Sequence, residues 1–176
     1  MPFTFSHPAI VLPLSKWFKK WVSTTGLIIG SMTPDFEYFV RMKIKSEYSH
    51  TLSGVFLFNL PLGIILAFIF HNHAKKMLFE NLPAYYKSKF NIYIHFNWNK
   101  YFNINFLIVI ISVILGAYSH IFWDSFTHHN GFFVTHIPIL NNSVILFGHN
   151  TYVYKFLQHG SSLIGVIVIL LSLIHI

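Results

Sequence analysis

Residues 104–123 read INFLIVIISVILGAYSHIFW, and the chain continues DSFTHHNG to residue 131. The first twenty of these residues carry no Asp, Glu, Lys or Arg. At about 1.5 Å per residue, a helix of this length spans roughly 30 Å, the thickness of a bilayer's hydrocarbon core. The stretch therefore predicts a membrane-crossing helix. Its far end is polar, with His120, Asp124 and His128 spaced by four. If the helix runs on through residue 128, these three side chains share one face.

Two further segments match the first. Residues 52–71, LSGVFLFNLPLGIILAFIFH, predict a span kinked at Pro61, which membrane helices tolerate. Residues 161–176, SSLIGVIVILLSLIHI, begin a third span. That segment stops after sixteen residues without a polar flank, so the chain is expected to be truncated at its C-terminus. The composition agrees with a membrane solvent. Of 176 residues, 54% are hydrophobic and 10% charged, against about 25% charged in soluble domains. Mean hydropathy is +0.56. The expected fold is all-α: a single polytopic membrane domain over residues 1–176, with spans at 52–71, 104–123 and 161–176.

Residues 1–48 do not fit a full span. Ala9–Leu14 is apolar but holds Pro13, and Lys16, Trp17, Lys19, Lys20 and Trp21 follow in an interfacial pattern. Thr24–Met32 is too short to cross alone. The expectation is an interfacial or re-entrant helix, then a second short helix ending near Pro34. No basic region precedes the first apolar stretch, so a cleaved signal peptide is not predicted. The connection 72–103 carries Lys75, Lys76, Lys87, Lys89 and Lys100, which would make it cytoplasmic by the positive-inside rule. Lys16, Lys19, Lys20, Arg41, Lys43 and Lys45 precede the first span on the opposite side, so charge assigns no orientation.

The formal net charge of +7 reads as membrane-flanking lysine and arginine that meets anionic headgroups. Membrane lipids are thus the expected partners. No basic stripe on a soluble domain supports nucleic-acid binding. Cysteine is absent, which excludes disulfides and thiolate metal sites. Any metal must be held by the twelve histidines and the five acidic residues. Imidazole with carboxylate suits Zn, Mn or Fe.

Topology brings candidates together. Two antiparallel spans return His50, just before the first, to the surface reached by His120 and Asp124 at the end of the second. Asp35, in GSMTPDFEYF, lies fifteen residues before His50 with no span between them. His7 joins the same side if residues 8–40 do not cross. His7, Asp35, His50, His120, Asp124 and His128 are therefore the expected metal ligands. Asp35 and Glu37 are the candidate catalytic carboxylates. Glu37 also fits as an i, i+4 partner of Arg41, and His50 as a cap of the first span. His159, opening the third span, is a second-rank candidate. His71 and His73 fall at the opposite face, and His129, His136 and His149 read as loop residues.

The opening MPFTFSHP, the stretch GSMTPDFEYF, the SHT before a span, the HIFWDSFTH after one and the late LQHGSS together resemble an uncharacterised bacterial membrane family. Its members begin Met-Pro-Phe-Thr and carry a domain of unknown function. That family is similar to a broader inner-membrane group, of the YdjM kind, described by prediction as membrane-bound metal-dependent hydrolases. The resemblance implies a multi-pass protein of the bacterial inner (cytoplasmic) membrane with His and Asp metal ligands at the six positions above. It implies a divalent metal, with Zn the leading choice, and a hydrolase whose substrate it leaves open. The depth of the cluster points to a lipid or lipid-linked phosphoester. The alternatives are a non-catalytic membrane protein with a structural His/Asp cluster, and a metal or proton transporter. Transport favours charge near mid-span, whereas here it lies at span ends. Serine-hydrolase and phosphate-loop motifs are absent.

Overall fold

The computed structural model describes residues 3–43, 46–146 and 148–174. Its described residues are mostly helical, with one small two-stranded sheet. In chain order the elements are α1 (Pro8–Trp17), α2 (Thr24–Gly30), α3 (Phe36–Arg41), α4 (Leu52–Glu80), α5 (Ala84–Ile94), α6 (Trp98–Thr127), α7 (Phe132–His136), β1 (Ser143–Leu146), β2 (His149–Tyr152) and α8 (Val153–Ile174). Of these, α4, α6 and α8 are long and apolar enough to cross a membrane. The three spans expected from sequence are thus present, each longer than its apolar stretch. His175 and Ile176, the end of the third predicted span, lie outside the described residues.

The N-terminal region forms a short hairpin. Pro8 opens α1, where its missing N–H costs nothing and its φ suits a helix. The chain turns through Lys19–Trp21, and Ser23 caps α2 by accepting the Gly26 N–H. With ten and seven residues, α1 and α2 extend about 15 and 10 Å. Neither crosses a bilayer core; α1 leaves the polar end of α6 and α2 returns to it.

The close approach of α2 to α6 positions everything that follows. Gly26 and Gly30 on α2 face Ser112, Val113 and Gly116 on α6, and the Ser23 N–H donates to Ser112 Oγ at 2.7 Å. A Cβ on Gly30 would sit 2.3 Å from the Val113 carbonyl oxygen, and one on Gly116 2.4 Å from that of Leu27. Small residues at four-residue spacing let helix backbones touch in lipid, where the hydrophobic effect does not drive association. The hydrophobic core continues along this seam through Ala67, Trp98, Val109 and Val113.

In α4, Pro61 has no N–H to give to the carbonyl of Leu57. The helix widens into a π turn over Val55–Asn59 just before it, and into another over Phe70–Ala74. The lysine-bearing connection 72–103 is largely helical, through the end of α4, α5 and the start of α6. After α6, α7 packs back on it, and the β hairpin leads into α8. The hairpin pairs Leu146 with His149, and Gly148 at φ 80° serves the turn. Val134, Leu140 and Tyr154 form a second, smaller core there. Outward faces are apolar: Leu57 is 80% exposed, Ile104 69% and Leu163 64%.

Candidate metal centre

The site is assembled from separate segments at one end of the helices. Asp35 ends a 3-10 turn, Thr33–Asp35, whose direction Pro34 helps to set. His50 stands in the loop just before α4. His120 and Asp124 lie one turn apart on α6, both buried. One ligand atom from each of Asp35, His50, His120 and Asp124 lies within 4.8 Å of all the others. Asp124 Oδ2 is 3.3 Å from His120 Nε2 and 3.4 Å from His50 Nε2. Asp35 Oδ1 is 3.4 Å from His120 Nε2 and 3.9 Å from His50 Nε2.

Outer contacts aim these rings. The His120 Nδ1–H donates to the Ser31 carbonyl at 2.7 Å, because a carbonyl can only accept. In the neutral ring this places the lone pair on Nε2, towards the carboxylates. His50 Nδ1 lies 2.8 Å from Ser46 Oγ and 3.0 Å from Ser49 Oγ. Asp35 Oδ2 accepts the Thr4 hydroxyl at 2.5 Å. Burial opposes ionisation of Asp35, but the His120 imidazole and the Thr4 hydroxyl outweigh it and hold the carboxyl below its ordinary range.

The donor set fits a divalent ion. Both nitrogens of His7, Nε2 of His50 and His120, and Oδ1 of Asp124 are buried without hydrogen-bond partners. Buried polar atoms are normally paired, and five of the eight unpartnered ones among the described residues gather here; the others are on Asn59, His71 and Trp98. Ligands 2.0–2.2 Å from a zinc ion lie at most about 4.4 Å apart. A spread within 4.8 Å therefore closes with small side-chain shifts.

The two other histidines expected as ligands flank this group. His7 is buried, stacks on His120 with ring centroids 3.7 Å apart, and brings Nε2 to 3.8 Å from Asp124 Oδ1. Burial, then the neighbouring His120, draws the pKa of His7 down to about 4, so its ring is neutral near pH 7. His128 does not continue the helical face expected of it. The last helical residue of α6 is Thr127, and His128 is extended at φ −113°, ψ 143°. Its Nδ1 faces the Asp124 backbone carbonyl at 3.2 Å and the Asp124 carboxylate at 3.6 Å, and its Nε2 faces the Gln158 amide at 3.4 Å.

Glu37, expected as a catalytic carboxylate, is engaged by Arg41 and by the loop before α4. Its Oε1 accepts from Arg41 Nε at 2.7 Å and the Glu47 N–H at 3.0 Å. Its Oε2 accepts from Ser46 Oγ at 3.0 Å and from the N–H groups of Tyr48 and Ser49 at 3.1 and 2.8 Å. Burial disfavours the charged form of Glu37, yet these donors more than compensate and hold it well below the usual carboxylate range. The second-rank candidate His159 is exposed; its neighbour Gln158 is the buried residue that reaches the site. His71 belongs elsewhere, stacked on Trp98 at 4.5 Å and 3.0 Å from Thr25 Oγ1.

Thr4, Ser31, Ser46, Ser49, Asn59 and Gln158 are not among the residues expected from sequence. Thr4, Ser31, Ser49 and Gln158 do fall inside MPFTFSHP, GSMTPDFEYF, SHT and LQHGSS, but a hydroxyl or an amide carries no metal-ligand signature of its own. Beside the cluster, a groove of about 290 Å³ runs between α1 and α8, lined by His7, Ala9, Ile10, Trp123, Ser161 and Ile164 among others.

The family model described as a domain of unknown function, DUF4184, matches residues 1–176, and the chain belongs to this family. No curated protein and no solved structure matches the chain.

Proposed function

We propose that the chain is a multi-pass protein of the bacterial inner membrane and a metal-dependent hydrolase acting on a lipid or lipid-linked phosphoester. One observation carries the reading: Asp35, His50, His120 and Asp124 offer converging, buried ligand atoms, several of which have no other partner. Their mixed imidazole and carboxylate chemistry suits Zn, Mn or Fe. A divalent ion held there supplies Lewis-acid activation of water and of a phosphoryl or acyl oxygen.

The chain's own groups take the remaining roles. Of the two carboxylates expected as general base, Asp35 keeps Oδ1 turned into the cluster, while both oxygens of Glu37 serve the loop 46–49. Asp35 is therefore the assigned proton acceptor. The Thr4 hydroxyl fixes its other oxygen. His7, neutral and buried, is a further ligand or a proton carrier at the edge. The lipid preference rests on the groove that ends at His7. Its walls are mainly apolar, and Ile10 and Ile164 on its rim are exposed. The groove follows α1 and α8, the direction in which an acyl chain lies when these helices stand in a bilayer.

A second reading, a non-catalytic polar lock between helices, has its own support. The carboxylates already lie 3.3–3.4 Å from His120 Nε2, close enough to balance a protonated ring without an ion. Metal analysis separates the readings. Detergent-purified protein should retain about one equivalent or more of a transition metal, and Asp124→Ala should lose it. Wild-type protein that stays metal-free after incubation with Zn, Mn or Fe would favour the lock. A metal-loaded protein that cleaves no lipid phosphoester in a substrate screen would leave a metal site without the hydrolase.

A further inference from the structure

We infer that Glu37 is a positioning residue that sets the ring tautomer of His50 through Ser46. The inference rests on the reading of His50 as a ligand. A metal-binding imidazole must present a lone pair, so its other nitrogen must carry the proton and needs an acceptor. For His120 that acceptor is the Ser31 carbonyl, which allows no other polarity. His50 has no such guarantee. Its Nδ1 meets two serine hydroxyls, and a hydroxyl can donate as readily as accept. If Ser46 donated to Nδ1, the proton would sit on Nε2 and point at Asp35 and Asp124, and the ring could not bind a metal through that atom.

Glu37 resolves the ambiguity. It accepts two N–H groups on Oε1 and, besides the Ser46 hydroxyl, two more on Oε2. A carboxylate surrounded by donors is an acceptor only. The single proton of Ser46 Oγ must therefore point to Glu37, at 3.0 Å. The two lone pairs of that oxygen are then left for Ser49 Oγ at 2.9 Å and for the Nδ1–H of His50 at 2.8 Å. Each donor and acceptor in the chain has one consistent direction: His50 Nδ1–H to Ser46, and Ser46 O–H to Glu37. The same carboxylate also pins the backbone of residues 47–49. From the other side, Asn59 in the π turn of α4 donates to the Ser49 carbonyl at 2.7 Å. The loop is thus clamped between α3 and α4 with His50 aimed inward.

The test is Glu37→Gln, which keeps the shape but adds an NH2 group able to donate to Ser46. Nitrogen-15 NMR of histidine-labelled, metal-free protein reads the tautomer directly. Wild type should hold His50 as the Nδ1–H form, and the variant should move to Nε2–H. Zinc affinity should fall by about 10–100-fold, the usual cost of losing an outer-shell partner of a ligand. If Glu37→Gln does not fold, the double variant Ser46→Ala, Ser49→Ala removes the relay and leaves the backbone contacts of Glu37 in place; it should cost zinc affinity on the same scale. A folded Glu37→Gln protein with His50 still protonated on Nδ1, or a double variant with unchanged zinc affinity, overturns the inference. If wild type binds zinc and the variants bind it equally well, the metal site stands and the relay fails. If the tautomer switches but wild type binds no zinc, the relay stands and the metal reading fails.

Discussion

At the scale of single residues, Asp124 is the hub. Its carboxylate lies within 4 Å of a ring nitrogen of His7, His50, His120 and His128. Removing His120, the fully buried ring nearest to it, leaves the carboxylates short of their partner in a buried place, which typically costs about 3–5 kcal/mol when a buried pair is broken. His120→Ala should therefore lose both metal and thermal stability, as read by metal analysis and by the unfolding midpoint in detergent. Gln158→Leu is the contrast. Of the His/Asp group, the Gln158 amide hydrogen-bonds to His128 at the edge, so metal stoichiometry should be unchanged and affinity should drop by no more than about tenfold, the low end of outer-shell effects. Equal losses in the two variants would mean that His128 belongs to the centre.

At the scale of elements, the seam of α2 and α6 decides whether the site exists. The contact of Gly30 and Gly116 with the opposing backbones carries Ser31 to His120 and Asp35 to the cluster. Gly116→Leu should force the helices apart, at about 1–3 kcal/mol for overpacking, and weaken metal binding as Ser31 moves away. Gly160→Ala is the control on α8. Its Cβ would meet nothing within 4 Å, and alanine is favoured over glycine in a helix by about 0.8–1.0 kcal/mol. Stability against denaturant should fall in the first variant and hold or rise in the second. A stable Gly116→Leu protein with full metal affinity would show that the seam is not needed.

Legibility in the sequence follows the same division. Spans are readable because each is a long uncharged run, and the antiparallel return of His50 to His120 follows from them. Helix ends are not. Apolar runs mark lipid contact, whereas α6 continues to Thr127 through residues that contact α7 and α8 instead. The end at Thr127, which turns His128 aside, depends on residues 128–136 folding back. The role of Glu37 is hidden because its partners are mostly backbone N–H groups, which every residue type but proline supplies. Arg41 is the one partner that spacing can reveal.

At the scale of the whole molecule, α1 and α2 enter and return, so the N-terminal segment, the loop before α4 and the end of α6 share one surface. In this cysteine-free chain, single cysteines at Glu47 and His129 should react with an impermeant maleimide from the same side of sealed vesicles. A cysteine at Lys87, in α5, should react from the other. Labelling of positions 47 and 129 from opposite sides would overturn the arrangement.

That hairpin also has a consequence for synthesis. The first fifty residues hold His7, Asp35, Glu37 and His50, whereas His120 and Asp124 emerge about seventy residues later. At 5–20 residues per second, the interval is about 4–14 s. Throughout it, α2 has no α6 to dock on and Asp35 has no imidazole from α6 beside it. On the proposed metal reading, ion capture can only come after α6 is in place. Assembly of the cluster thus waits for the second of the three long helices, and a nascent chain stalled before residue 120 would be unable to make it.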